Sequence, residues 1–270
     1  MCLALAPLGL PAAAQATPAG EPEELINYPY AVGDTAFFNV VGQSAQLVRL
    51  PISYTLRSID EHPWGVKLRF PVSVGLHEFT ADGIGMGEIR ESLATISGLV
   101  GVEFAVPVGQ RWTLSPFAEF GAGKDLDGGE LAWIYSAGLY TVAAVPTDRV
   151  LYRVGSGLTY DGASLSGGGP RNGYTSLEIG FDTRFPLRKP LAGRQADWSI
   201  YGIRRRFLDT LTFDQLNGDT TQLNDQNEIG FTLGVDRPVG FWLLKIDRIG
   251  LGVRFGENLT SVRILFGVPF

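Results

Sequence analysis

The residues that could carry acid–base or nucleophilic chemistry are few, because the 270-residue sequence contains two histidines and one cysteine. His77 stands beside Glu78, and hydrolases and acyltransferases pair a histidine with a serine or a carboxylate. Neither a His-x-Ser spacing nor a Gly-x-Ser-x-Gly elbow occurs in the sequence. We therefore predict no catalytic residue, and an enzyme that uses His77 with a carboxylate is the alternative.

Motifs for metal ions and phosphates also fail on spacing. The stretch DLDGG, residues 125–129, places its glycine too early for an EF-hand calcium loop and is typical of a turn. In the glycine-rich stretch GAGKD, Asp125 follows Lys124, where a phosphate-binding loop needs serine or threonine. We predict no cofactor and no metal site.

Most charged residues instead occur at alternate positions of segments whose other positions are apolar. In GYTSLEIGFDTRFPL one parity holds Leu177, Ile179 and Phe181, and the other holds Glu178 and Asp182. A period of two is typical of β-strands whose two faces differ in polarity. The pattern therefore predicts an all-β protein.

The alternation recurs along the chain in segments bounded by turn-forming residues. We predict twelve strands, of which the first and the ninth are the least regular, because Arg204-Arg205-Arg206 interrupts the ninth. The predicted strands are residues 35–41, 45–57, 64–78, 91–106, 111–123, 130–145, 149–160, 173–186, 197–208, 226–236, 248–256 and 259–270.

Composition indicates where such strands would lie. The net charge is −6 with both signs scattered, which excludes the basic face that nucleic-acid binding requires. The mean hydropathy is +0.10, yet no uncharged apolar run beyond the N-terminal segment is long enough for a membrane-spanning helix. The chain has 35 glycines, many at polar strand positions, which favours a sharply curved sheet.

A β-protein in lipid must pair every backbone group, so its sheet has to close on itself. We predict a single closed antiparallel transmembrane β-barrel of about 12 strands, with long polar loops such as 161–173 and 209–227 on the outer side. Aromatic residues near strand ends predict two girdles. They are Phe270, Trp112, Trp64, Trp198, Phe185 and Tyr152 at the periplasmic rim, and Tyr160, Tyr174 and Trp133 at the outer rim.

The polar parity predicts the lining of the lumen. Both signs occur there in similar numbers, so we expect paired charges that fill and stiffen a small barrel. A narrow pore with little ion selectivity is the alternative. The predicted lumen-lining residues are Arg49, Arg57, Lys67, Arg69, His77, Glu103, Glu119, Arg153, Glu178, Asp182, Arg184, Glu228, Arg254 and Arg263.

The N-terminal segment is typical of an exported protein. Residues 1–16 are apolar and end in Ala-Gln-Ala, the small-x-small pattern of a signal peptide cleavage site, although a basic start is missing. Residues 17–34 form a polar lead-in, and residues 35–270 form the predicted barrel. Cleavage would remove Cys2, so stability could not depend on disulfides.

The chain closes with SVRILFGVPF, in which Ile264, Phe266, Val268 and Phe270 share one parity. This pattern resembles the C-terminal signal by which the barrel insertion machinery recognises its substrates. The twelve predicted strands, the terminal phenylalanine and the stretch of residues 101–143 resemble the barrel (translocator) domain of autotransporters. The resemblance is to a solitary form of that barrel without a passenger. The resemblance implies a bacterial outer-membrane location in a Gram-negative cell, with lipid and the insertion machinery as partners.

We expect a monomer that binds no nucleic acid and acts as a structural protein or a narrow pore. Two alternatives come from other classes. One is an outer-membrane lipid-modifying enzyme, and the other is a soluble periplasmic β-protein whose apolar parity faces a core.

Overall fold

The computed structural model describes residues 36–40, 43–80, 90–126, 131–167, 171–214, 220–241, 244–256 and 259–270. The predicted signal peptide and lead-in, residues 1–34, lie outside these ranges. For His77 the structure describes the backbone but not the side chain.

The described residues form twelve strands, and each corresponds to one of the predicted segments. The strands are β1 (Ala36–Val40), β2 (Gln43–Arg57), β3 (Gly65–Thr80), β4 (Arg90–Pro107), β5 (Trp112–Asp125), β6 (Leu131–Pro146), β7 (Leu151–Leu165), β8 (Arg171–Pro186), β9 (Ala196–Asp214), β10 (Thr220–Phe241), β11 (Leu244–Gly256) and β12 (Leu259–Phe266).

The strands form one antiparallel sheet that curls into a barrel-like shape. Each strand pairs with its neighbours in sequence, and the short β1 pairs with both β2 and β12 over five residues on each side. No helix among the described residues is long and apolar enough to cross a membrane. The predicted all-β antiparallel class is confirmed.

Three hairpins are longer than the sequence pattern predicts. In the expected outer loop 161–173, residues 161–164 of β7 pair with residues 171–174 of β8. The polar segment 209–227, expected as a loop, is largely paired, with Asp214 opposite Thr220. The expected turn 237–247 is also mostly strand, because β10 resumes pairing with β11 after a register shift between Gly234 and Val239. Backbone pairing at a hairpin end needs no apolar side chains, so polar composition alone misplaced these boundaries.

The last strand is shorter than predicted and ends at Phe266 rather than at residue 270. Gly267 adopts φ 104°, a conformation that L-residues avoid, and its amide donates to the carbonyl of Arg248 at 2.8 Å. Pro269 has no amide hydrogen with which to continue the ladder. The chain therefore leaves the sheet after β12 and turns toward the interior.

The faces of the strands have the opposite polarity to those of a soluble protein. On β10, Phe231 is 56 % exposed while the adjacent Thr232 is fully buried. On β8, Phe181 is 55 % exposed and Asp182 is fully buried. The apolar parity therefore faces outward, and the polar parity faces the interior, which reverses the usual rule for water-soluble proteins.

The outward apolar positions form a continuous belt around the sheet. On β4 the belt runs from Ile96 to Val106, ten residue steps that correspond to a height of about 26 Å at a strand tilt of about 40°. Every strand from β2 to β12 contributes at least one exposed apolar residue: Val48, Val74, Val100, Phe120, Leu139, Val154, Phe181, Ile200, Phe231, Leu251 and Val262.

Most of the predicted girdle aromatics lie on the outer face. At one rim Phe185 stacks on Trp198 with centroids 4.6 Å apart, and at the other rim Trp133 stacks on Phe120 at 5.6 Å. Trp64, Trp112, Tyr152 and Tyr160 are also exposed.

Two of the girdle assignments were wrong. Tyr174 lies on the same face of β8 as Glu178 and is buried inside. Its ring packs edge-to-face with that of Phe207, with the ring centroids 5.5 Å apart. Phe270 also lies inside, because the turn at Gly267 carries it off the wall.

Glycines on the inner face make room for large side chains, as the composition suggested. A Cβ at Gly252 would lie 2.6 Å from Oε1 of Glu228 and would also clash with the hydroxyl of Tyr201. Gly230 on the neighbouring strand lies under the same tyrosine ring. The two glycines therefore form the floor on which Tyr201 packs.

We expect Gly252→Val to destabilise the fold by about 1–3 kcal/mol, because the added side chain overpacks the interior. Urea unfolding in detergent, followed by tryptophan fluorescence, would measure the change. Gly98→Val is the matched control, since a Cβ at Gly98 meets nothing within 4 Å. Equal stability of the two variants would contradict the packing assigned to Tyr201.

Candidate functional site

The interior opens at one end into a cavity of about 700 Å³. The inner faces of the strands line it, together with the segment that follows β12. The predicted residues that line it are Arg49, Lys67, Arg69, Glu103, Glu119, Arg153, Glu178 and Arg263.

The largest charge cluster on the cavity wall joins β2 to β5. Arg69 lies between two carboxylates, with Nη1 at 3.0 Å from Glu103 and Nε at 2.5 Å from Glu119. Lys67 Nζ forms a second ion pair with Glu103 at 3.1 Å, and Arg49 Nη2 pairs with Glu119 at 3.3 Å. Three cations therefore surround two carboxylates, of which Glu119 is buried and Glu103 is partly exposed.

A second part of the wall combines one ion pair with neutral polar contacts. Arg205 donates to Glu178 at 2.8 Å, and the hydroxyl of Ser136 donates to Asp161 at 2.6 Å. Tyr140 stacks on Phe117 beside them, with ring centroids 5.2 Å apart. All of these side chains line the cavity.

Asp182 anchors a third group near the rim where β12 ends. Its carboxylate accepts a hydrogen bond from Arg184 Nε at 2.8 Å, and Arg153 Nη1 lies 3.9 Å away. Asp182 is fully buried, whereas the two arginine side chains keep 15–16 % exposure. The carboxylate is therefore enclosed, and the guanidinium groups border the cavity end.

Glu228 holds the most deeply buried cluster. It accepts hydrogen bonds from Arg254 Nε at 2.6 Å, Arg263 Nη1 at 3.0 Å and the Tyr201 hydroxyl at 2.6 Å. Arg254 is 2 % exposed, so water cannot replace the carboxylate as its partner. This cluster ties β9, β10, β11 and β12 together.

A polar row continues from this cluster along β9 to β11. Arg248 donates to Thr232 at 2.6 Å and pairs with Asp197, and Thr232 also contacts the hydroxyl of Ser199 at 2.7 Å. All of these side chains share the inner parity of their strands.

The antiparallel register explains how these pairs form. It sets Lys67 opposite Glu103 and Arg153 opposite Asp182. It likewise sets Glu178 opposite Arg205 and Glu228 opposite Arg254. Cross-strand neighbours of opposite charge stabilise a sheet, and here they also neutralise the interior.

Most of the predicted lumen-lining charges lie on the inner face of the sheet. The assignment of Arg57 was wrong, because a register irregularity after Thr55 sets Arg57 opposite Val66, and its guanidinium lies 4.1 Å from the centroid of the outward-facing Trp64 ring. The side chain of His77 is not among those described. Sequence reasoning missed several polar partners on the same face. Asp161 lies on the same face of β7 as Arg153, one residue beyond the predicted strand end. Arg205 is the inward-facing member of the arginine triplet 204–206, which interrupts the alternation of the ninth strand. The missed residues are Ser136, Asp161, Asp197, Tyr201, Arg205 and Arg248.

The four residues of the expected insertion signal have mixed positions. Val268 is 40 % exposed, and Phe270 lies inside the sheet. Ile264 and Phe266 are on β12. Their role in insertion stays a prediction.

No group of three or more histidine, cysteine, aspartate or glutamate residues in the described ranges could hold a metal ion. No model of a known protein family matches the chain, and no curated protein matches it either. The arrangement offers paired charges around a polar cavity.

We expect Glu228→Gln to destabilise the fold by about 3–5 kcal/mol, because it removes the carboxylate that pairs with the buried Arg254 and Arg263. Urea unfolding in detergent at neutral pH would measure the loss. Glu61→Gln is the matched control, since Glu61 lies in an exposed turn. A change of less than about 1 kcal/mol at Glu228, the level typical of exposed ion pairs, would contradict the cluster.

Proposed function

We propose that the chain is an integral outer-membrane β-barrel protein that acts as a structural protein or a narrow pore, without catalysis. The observation that carries the proposal is the reversed polarity of the sheet, with an apolar belt outside and ion pairs inside. A water-soluble protein would have to cover such a belt, because exposed apolar patches rarely exceed a few hundred Å².

Backbone pairing supports the same proposal. Hydrocarbon offers no partners to amide and carbonyl groups, so a sheet in the bilayer can leave no free edge. The pairing of β1 with both β2 and β12 fits a sealed cylinder. The belt height of about 26 Å also matches the apolar band of about 25 Å in outer-membrane barrels.

The proposed partners are outer-membrane lipids and the barrel insertion machinery. The first follows from the belt, and the second from the resemblance of residues 262–270 to a C-terminal insertion signal. The likeness of residues 101–143 to autotransporter barrels agrees with this proposal, and we propose a monomer.

Extraction and gel migration test the membrane assignment. We expect the protein to need detergent for extraction and to migrate faster on gels when unheated than after boiling, because a closed barrel resists dodecyl sulfate. A protein that stays monodisperse in buffer without detergent would contradict the assignment.

A charge on the belt offers a second test. We expect Phe231→Arg to destabilise the folded protein in liposomes by about 2–4 kcal/mol, because Phe231 points outward within the belt. Urea titration of the liposome-embedded protein would measure it, with Glu61→Arg in an exposed turn as the control. An unchanged free energy of unfolding would place Phe231 outside lipid.

The charge balance of the cavity predicts its ion preference if it conducts. The cavity lining contains seven basic side chains (Arg49, Lys67, Arg69, Arg111, Arg153, Arg205 and Arg263) against five acidic ones (Glu103, Glu119, Asp161, Glu178 and Asp247) among the described residues. We expect a modest preference for anions, read as a reversal potential under a KCl gradient across a planar bilayer. A cation preference would contradict this assignment of the lining.

A further inference from the structure

The segment after β12 occupies an unexpected place, since it crosses the interior instead of extending the wall. Gly267 turns the chain inward, and residues 267–270 line the cavity together with charged residues from the wall. The ring of Phe270 rests on Gly155 of β7 and Gly180 of β8. In the strand order these strands lie five and four positions from β12, so the segment reaches the far wall.

The far wall provides a notch that fits an aromatic ring. Gly155 and Gly180 face each other in the register, so two adjacent strands lack side chains at the same level. A Cβ at Gly180 would lie 2.6 Å from a carbon of the Phe270 ring and 3.2 Å from Ile203. The notch is therefore an apolar spot with Phe270 as its occupant.

Charged residues surround this apolar spot on the inner wall. Arg153 and Asp182 form the next inward-facing pair toward the rim, and Glu178 lies on the other side along β8. The two glycines leave an uncharged space between these side chains, and the Phe270 ring occupies it. The segment is attached at its start by the hydrogen bond that the Gly267 amide donates to the carbonyl of Arg248, and at its far end by the packing of Phe270.

We propose that residues 267–270 form a plug that closes the cavity at this end, and that release of Phe270 from the Gly155–Gly180 notch opens it. This inference rests on the proposed function as a membrane pore. The plug is a short strap on a glycine turn, which can swing without disturbing the pairing of β12 with β11.

Single-channel recording in planar bilayers tests the plug. The protein is refolded from urea into detergent, so that no insertion machinery is needed. We expect Phe270→Ala to raise the mean conductance about twofold or more, because it removes the ring that holds the segment across the pore. Phe185→Ala, which removes a ring from the outer wall at the same rim, is expected to conduct like the unaltered protein.

Two further variants separate plugging from misfolding. Gly180→Leu keeps Phe270 but fills its notch, and we expect the same increase in conductance. Gly180→Cys with Phe270→Cys, in a Cys2→Ser background, should hold the pore at low conductance when oxidised and release it on reduction. Heat-modifiable migration confirms the fold of each variant.

The outcomes distinguish the two proposals. If Phe270→Ala and Gly180→Leu fold, insert and conduct like the unaltered protein, the plug is wrong and the barrel stands. If the unaltered protein never inserts into bilayers, the proposed membrane function fails, and the plug fails with it.

Discussion

Charged side chains can stay buried in this sheet only because the antiparallel register sets carboxylates opposite guanidinium groups. Glu228 opposite Arg254 and Glu178 opposite Arg205 show the dependence most clearly. A shift of one residue would turn an entire strand over, exposing its charges outside and burying its apolar residues inside. The ion pairs therefore fix the register, and the register fixes which face of every strand points outward.

The same constraint explains the shape of the interior. Around Glu228, paired charges and Tyr201 pack closely, and glycines such as Gly252 supply the room that they need. Toward the end where β12 stops, the ion pairs line a cavity instead of filling it. The segment after β12 lies in this open part, where the paired glycines 155 and 180 leave a gap in the charged wall.

The period of two predicted the strands well, because alternation reflects which face each residue occupies. Parity also placed most of the charges that lie on the inner face, but it failed at Arg57, because the register irregularity after Thr55 reverses the parity there. Hairpin lengths at β9 and β10 were not predictable in this way, because polar tracts pair without any apolar signal. Tyr174 has the same parity as Glu178, which correctly indicates the inner face. The girdle assignment was wrong because it relied on the position of Tyr174 near a strand end. The inward course of Phe270 depends on the backbone at Gly267, which no pattern of side chains reveals.

Site-directed quenching tests most directly whether the apolar face meets acyl chains. Leu50→Cys on the outer face of β2 and Ser53→Cys on its inner face, each in a Cys2→Ser background, would carry a small fluorophore in liposomes. Nitroxides on the acyl chains should strongly quench the probe at residue 50 and leave the probe at residue 53 nearly unchanged. Equal quenching at both positions, or quenching at residue 53 alone, would contradict the account.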